Sequence, residues 1–442
     1  MSTRSYTAGI YTLGCKVNQY ESEAIAEALE REGIVMLPPT EVCDAYIINT
    51  CTVTAESDRK ARKFIRRAIS RNPYAVIVVT GCLAQTDPES LQSIAGVHAI
   101  VGNSEKMLAA KEVVRLLAMT DRPTAPLQTV SDIQSAPFEP MHITHFERTR
   151  AYIKIEDGCE SRCTYCIIPS ARGPIRSKPL ADVIEEVRVL TEGGCREVVL
   201  TGIETASWGK DLGKGDLASL LVAVNGIEGI GRVRLGSLDP SLIRPEFVQK
   251  IAPLSSLAPH FHLSLQSGSS RTLARMKRKY NADMAMRAMT LLREHIPNVQ
   301  FTTDIIVGFP GETEEEFAET LDFVCRARFL NVHVFPYSKR KGTPAATMSG
   351  QIPAEEKTRR LHILSDAVTK IRAELLQETV QNNPVVTVLF ESMENGFAFG
   401  HTANFIEVAV PFDRPLHGEL IEVRLERADD TRCYGSICTP NA

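Results

Sequence analysis

The sequence predicts an α/β chain of three domains: a parallel-sheet α/β domain, a central (βα)6 partial barrel and a small closing β-barrel. Three observations carry that expectation. Apolar strands alternate with amphipathic helical stretches over most of the chain, the pattern of parallel sheets. A polar stretch with Pro123, Pro126, Pro137 and Pro140 interrupts the alternation once. From Val385 onward short strands punctuated by Asn395-Gly396 and His417-Gly418 replace it. At 442 residues the chain is too long for one core.

In residues 1–118 the expected strands are 10–13, 45–49, 75–80 and 97–101, and the expected helices 19–31, 56–71, 88–94 and 105–117. Cys15, Cys51 and Cys82 each fall just past the end of an expected strand. Ligand sites in open α/β sheets form at that edge, so the three thiols are expected to meet although 35 and 30 residues separate them. The competing reading is chance placement of small buried side chains. Residues 119–150 read as a linker.

Residues 151–382 are expected to hold the barrel and one long helix, with strands starting near Tyr152, Glu197, Arg232, His260, Val299 and Leu330 and the helix at 353–382. Chemistry in such barrels sits at the C-terminal ends of the strands. There, after the first strand, the loop IEDGCESRCTYCIIPSARGPIR places Cys159, Cys163 and Cys166 within eight residues. Sulfur ligands favour iron–sulfur clusters or zinc. A four-iron cluster takes four thiolates, so three would leave one iron open for a substrate or cofactor. The alternative is a structural zinc knuckle, but no His or fourth Cys follows at finger spacing. Residues 383–442 form the expected β domain, with strands at 385–390, 397–401, 405–410, 419–425 and 433–437.

Composition sets the outer bounds. No apolar run is long enough to span a membrane, and MSTRSYTAGIYTLG lacks the apolar core of a signal peptide. Eleven cysteines without a secretion signal read as reduced thiols and metal ligands in the cytoplasm. A net charge of −4 requires any nucleic-acid contact to come from local patches.

The spacing of Cys159, Cys163 and Cys166, with Tyr165 before the last, resembles the radical S-adenosylmethionine (SAM) superfamily. The resemblance implies a partial TIM barrel of radical SAM type, a [4Fe-4S] cluster on these cysteines, SAM chelated by the open iron, and Tyr165 near its adenine. The whole chain resembles the methylthiotransferase family: TLGCKVNQYESE, INTCTVTAESDRKARKFIRR and VTGCLAQ are similar to its signature segments. This implies a second [4Fe-4S] cluster on Cys15, Cys51 and Cys82, whose bound sulfur is methylated by one SAM. A 5′-deoxyadenosyl radical from another SAM would then remove the hydrogen on carbon 2 of an adenine. KVNQYESE and TVTAESDRKARK resemble the branch acting on N6-threonylcarbamoyladenosine at tRNA position 37. The final domain resembles the TRAM module, an RNA-binding β-barrel. The implied partners are tRNA, an electron donor and a sulfur source.

Other residues are expected at the SAM site. Gly202-Ile203-Glu204 stands where many superfamily members carry a Gly-Gly-Glu that contacts the methionyl amine, the competing reading being a solvated loop acid. Ser237, Gln266 and Asp304 lie at or near later strand ends, where ordinary turn chemistry is the alternative. Three basic clusters suggest phosphate contact: residues 59–71, 271–279 and 339–341. The final domain runs against this, with nine acids to four arginines from Val385 onward; Phe397 and Phe405 could stack on bases there. Cys433 and Cys438 form a weak candidate metal pair, while Cys195 and Cys325 read as packing residues. Competing functions are a methylthiotransferase for isopentenyladenosine tRNA or a ribosomal-protein aspartate, and an iron–sulfur or RNA-binding scaffold without turnover.

Overall fold

The computed structural model describes residues 5–382 and 384–438. Residues 1–4 of the expected first domain, and 383 and 439–442 of the expected last one, lie outside the described residues.

The N-terminal sheet has six parallel strands, in the spatial order Val35–Met36, Thr7–Thr12, Ala45–Thr50, Val76–Gly81, Ala99–Val101 and Leu127–Thr129. Ala45–Thr50 and Val76–Gly81 are buried throughout, as strands covered on both faces are. Alternate residues serve opposite layers. Ala45, Ile47, Val76 and Val78 pack with Ile25 and Leu29 of helix α1 (Lys16–Arg31). Tyr46, Ile48, Ile77 and Val79 pack with Ala61, Ile65 and Ala68 of helix α2 (Ala55–Arg71). The Thr54 side chain starts α2 by accepting the Ser57 amide. The strands preceding Cys15 and Cys51 are neighbours across the point where the order reverses, so a crevice opens between their C-terminal ends.

Three local expectations need correction. The helix expected at 88–94 is two short helices, Cys82–Thr86 and Pro88–Gln92, because Asp87 breaks from helical geometry between them. Residues 119–150 are no free linker. Leu127–Thr129 joins the sheet, and Ile133, Met141 and Ile143 are buried. Glu139 accepts the Lys106 and Met107 amides, and the Glu186 carboxylate accepts that of Ile143. Prolines deny this segment a helix but not burial. Phe405, read as the start of a strand, sits in a turn at φ 71, and the strand runs Glu407–Pro411.

The barrel strands are Ala151–Lys154, Glu197–Thr201, Arg232–Leu235, His260–Gln266, Gln300–Val307 and Asn331–Pro336. The third continues after Gly236 as Ser237–Leu238, which passes the pairing on to the fourth. All pairs are parallel and follow chain order. Among the described residues the first and sixth strands do not pair, so the barrel is open on one side. The helix Ala354–Asn382 buries Leu364, Val368, Ile371 and Leu375 against this domain. The last five strands close a small barrel in the order Val385–Glu394, Phe397–Thr402, Glu407–Pro411, Cys433–Ile437, Leu420–Ala428.

Helix α1 joins the first two domains. Tyr20 and Ala24 belong to the barrel core. Tyr20 donates its hydroxyl to the Met141 carbonyl at 2.7 Å and to Glu186 at 2.9 Å. Glu21, fully buried, holds Lys106, Lys154 at 3.0 Å and Arg172 at 2.7 Å. Arg172 also reaches Asn18 and, at 3.1 Å, Asp157. Burial alone would raise the Glu21 carboxyl, but Arg172, Lys106 and Lys154 hold it well below the usual carboxylate range. A second tie runs from Arg340, past the sixth strand, to Asp58 and Thr52, each at 2.7 Å.

Candidate functional site

A cavity of about 330 Å³ opens at the C-terminal ends of the barrel strands. Cys159, Cys163, Cys166 and Tyr165 line it from the loop after the first strand; Glu204, Ser237, Gln266 and Asp304 line it from the next four. The structure thus brings together every residue expected at the SAM site. Val53 and Thr54, just past Cys51, line the same cavity from the N-terminal domain. Val53 and Phe335, both lining residues, are also open to solvent.

The loop is pinned before its first thiol. Gly158 has φ 89, and a Cβ there would meet the Pro174 carbonyl oxygen at 1.9 Å, so only glycine fits. The Cys159 amide then bonds the Gly173 carbonyl, and that of Thr164 bonds Met276. Gln266 stands at φ 71, a conformation that costs a non-glycine residue about 1–3 kcal/mol and clusters at functional sites. Tyr165 meets Phe309 edge-on, with ring centroids 6.5 Å apart.

Charge in the cavity is arranged around the thiols. The Cys159 thiol donates to Glu204 at 3.0 Å, and Lys279 stands 3.5 Å from the same carboxylate. Arg278 lies 3.2 Å from the Cys163 sulfur and bonds Asp239 and the Ser264 carbonyl. The basic cluster at 271–279 was expected to meet phosphate; the structure pairs most of it with carboxylates. Arg271 pairs with Glu319 and Arg275 with Glu316. Sequence reasoning therefore missed Arg278 as a neighbour of the thiols. Its only signal was a basic run, which carries no direction.

The N-terminal thiols meet at the strand ends. Cys51 and Cys82 directly follow their strands, and Cys15 follows Thr12 by three residues. Gly14, at φ 99, lets the first loop close on the second: a Cβ there would stand 2.8 Å from Cys51 Cβ. Asn18 ties both loops by donating to the Leu13 and Thr50 carbonyls. Burial, with the Cys82 thiol beside it, pushes the Cys51 thiol up to about 12. Burial, with Cys163 adding, pushes Cys166 up to about 11. Such thiols become thiolates only against strong positive charge, which a metal centre supplies. Among the described residues no three Cys, His, Asp or Glu side chains are grouped as ligands of a single metal ion. The donor sets fit sulfur-ligated clusters: three thiols each, with Arg278 beside one set and Arg172 near Cys15 and Cys82 of the other.

The remaining candidates separate by contact. On α2, Arg59 pairs with Glu56, Arg62 with Asp87 and Ser90, and Arg71 with Tyr11 and the Pro39 carbonyl. Lys60, Lys63, Arg66 and Arg67 are exposed with no partner among the described residues. In the third cluster Arg340 is used between domains, leaving Lys339 and Lys341 outward. Phe397 packs against Phe399 and Tyr434. Cys195 and Cys433 are buried packing residues, and Cys325 is exposed. The Cys433 thiol faces the Leu376 carbonyl.

The chain matches the model of the Radical SAM superfamily over residues 153–324 and that of the "Uncharacterized protein family UPF0004" over residues 7–102. It is 39% identical over 430 residues to threonylcarbamoyladenosine tRNA methylthiotransferase MtaB of Bacillus subtilis (strain 168), covering 96% of this chain and 94% of that protein. It is 33% identical over 451 residues to tRNA-2-methylthio-N(6)-dimethylallyladenosine synthase of Akkermansia muciniphila, covering 97% and 98%. Among solved structures, the radical SAM methyltransferase TsrM of Kitasatospora setae is similar in fold, with a TM-score of 0.56 at 17% identity over 78% of this chain and 74% of that one.

Proposed function

The chain belongs to the radical SAM tRNA methylthiotransferase family, and from that premise we propose that it puts a methylthio group in place of the hydrogen on carbon 2 of N6-threonylcarbamoyladenosine at tRNA position 37. The observation that carries the reading is the shared cavity: Val53 and Thr54, beside Cys51, face the chamber of Cys159, Cys163 and Cys166. The relative in Bacillus subtilis named for threonylcarbamoyladenosine supports the choice of base.

In this reading Cys159, Cys163 and Cys166 hold one [4Fe-4S] cluster with an iron left for SAM, and Cys15, Cys51 and Cys82 hold a second. When bound, these groups supply the electron for SAM cleavage and the sulfur for transfer. Tyr165 takes the adenine of SAM and Glu204 its methionyl amine, with Lys279 within reach of the same carboxylate. Ser237, Gln266 and Asp304 close the remaining wall. Arg278 offsets the negative charge that thiolates bring to the Cys163 side. The C-terminal barrel acts as a TRAM-like RNA module, and an electron donor and a sulfur source act as partners. No helix among the described residues is long and apolar enough to cross a membrane, in keeping with a cytoplasmic setting for tRNA modification.

Mass spectrometry of tRNA nucleosides after reaction with the reconstituted enzyme tests this. The expected product is 2-methylthio-N6-threonylcarbamoyladenosine. Product on isopentenyladenosine tRNA alone, or on a ribosomal protein, would refute the reading.

The free cations of α2 are expected to track the tRNA backbone. Replacing Lys60, Lys63, Arg66 and Arg67 with Gln should lower the steepness of log affinity against log salt by up to about three to three and a half, from roughly 0.7–0.9 per lost phosphate contact. An unchanged slope between about 50 and 200 mM salt would make this face merely solvated.

A further inference from the structure

The barrel interior holds a second chamber, of about 370 Å³. Lys16, Arg150, Arg234 and Arg372 line it against one lining carboxylate, Glu407, with His260, His262, His333 and His401 between them. All three domains contribute: Lys16 follows Cys15 on α1, Arg234 lies in the third barrel strand, and His401 belongs to the terminal barrel. Phe405 forms the floor. Its ring stacks on His260 and His401 at 4.8 and 4.6 Å and lies 4.8 Å under the Arg234 guanidinium. The turn that presents it holds φ 71, a rare conformation for so bulky a residue and one found where function demands it.

Arg234 is the group that asks for a ligand. Its side chain is 3% exposed and its Nε bonds Glu197 at 2.9 Å, yet Nη1 and Nη2 have no partner. His260 Nδ1 is likewise buried and unpartnered. Glu197 is shared by Arg150, Arg232 and Arg234; Glu391 also pairs with Arg150 and His401, which leaves Arg232 and Arg234 with the one carboxylate of Glu197 between them. Among the described residues Lys16 makes no side-chain hydrogen bond or ion pair, and the carboxylate acting on it is that of Asp304. Buried donors without partners are rare and costly, and two free guanidinium nitrogens match a carboxylate. The chamber adjoins the cysteine cavity: His262, on its wall, stands 3.2 Å from Asp304, which lines the other.

We propose that this chamber binds the carboxylate of the threonylcarbamoyl group, with Arg234 as the residue that grips it. The inference rests on the substrate reading above. A base presenting carbon 2 to the cysteine cavity carries its N6 arm several atoms from the reacting carbon, a separation that two adjoining chambers accommodate. A dimethylallyl arm would leave Arg234 and His260 desolvated and unpaired, so the chamber also selects against it.

The test uses the anaerobically reconstituted full-length enzyme and fluorescent anticodon stem-loops carrying N6-threonylcarbamoyladenosine, its threonyl methyl ester or unmodified adenosine. The wild type is expected to prefer the acid over the ester by about tenfold to a hundredfold, the range for a hydrogen-bonded charge pair. Arg234→Met should bring that ratio close to one. Arg234→Lys keeps the charge but loses the fork and should fall between; its ratio decides if Arg234→Met does not fold. A ratio unchanged in the variants overturns the inference. So does equal weakening on all three stem-loops, which would assign the chamber to an RNA phosphate. A failed substrate reading would show differently, as a wild type that methylthiolates isopentenyladenosine tRNA and not threonylcarbamoyladenosine tRNA, and the inference would fall with it.

Discussion

Joint replacement of Cys159, Cys163 and Cys166 with alanine is expected to abolish SAM cleavage and to halve the iron that anaerobic reconstitution installs, from about eight per chain to about four. These thiols share one loop with Tyr165 and one cavity with Tyr165, Glu204 and Gln266, and among the described residues no other cysteine lines that cavity. The same replacement at Cys15, Cys51 and Cys82 should remove a similar amount of iron with a different outcome. 5′-Deoxyadenosine should still form, while methylthio transfer stops. Iron assay, chromatography of the cleavage product and nucleoside mass spectrometry read the three quantities separately. SAM cleavage surviving in the first variant would end the assignment of the loop. Transfer surviving in the second would reduce the N-terminal triad to packing.

Glu21→Ala should be among the most destabilising single changes in the chain. It leaves Lys106, Lys154 and Arg172 enclosed, with Asp157 paired, of these three, only to Lys154 and Arg172 and Glu139 the other carboxylate acting on Lys154. Breaking a buried ion cluster by removing one partner costs about 3–5 kcal/mol. The exposed pair Arg188–Glu185 is the control, because its loss costs at most about 1 kcal/mol. Urea unfolding of both variants measures the contrast. A loss below about 1 kcal/mol for Glu21→Ala would mean that water solvates the cluster.

The sequence made the thiols legible because spacing and strand ends are local facts. Cys159, Cys163 and Cys166 need only one loop, and Cys15, Cys51 and Cys82 need only the rule that ligands gather at strand ends. Long-range pairing was not legible. Nothing in KVNQYESE distinguishes a substrate signature from an interdomain clamp, yet Asn18, Tyr20 and Glu21 face the barrel and its flanking segments. Basic runs misled for the same reason: charge has no direction in a sequence, so Arg278 and Arg340 read like Lys63 although they turn inward. Phe405 was read as the start of a strand and a candidate for stacking on bases, because a positive φ leaves no trace in composition.

The anchoring of α1 decides how a nucleotide can arrive. With Glu21 and Arg172 sealed between the two α/β halves, a buried ion cluster braces that seam against hinging and fixes the N-terminal thiols relative to the barrel loop. The base must come to them, past the open side where Val53 and Phe335 meet solvent. It has to swing out of its stack and enter edge first. Eversion costs a few kcal/mol, least where the base is already unpaired. A purine in a single-stranded loop meets that demand, and one inside a helix does not.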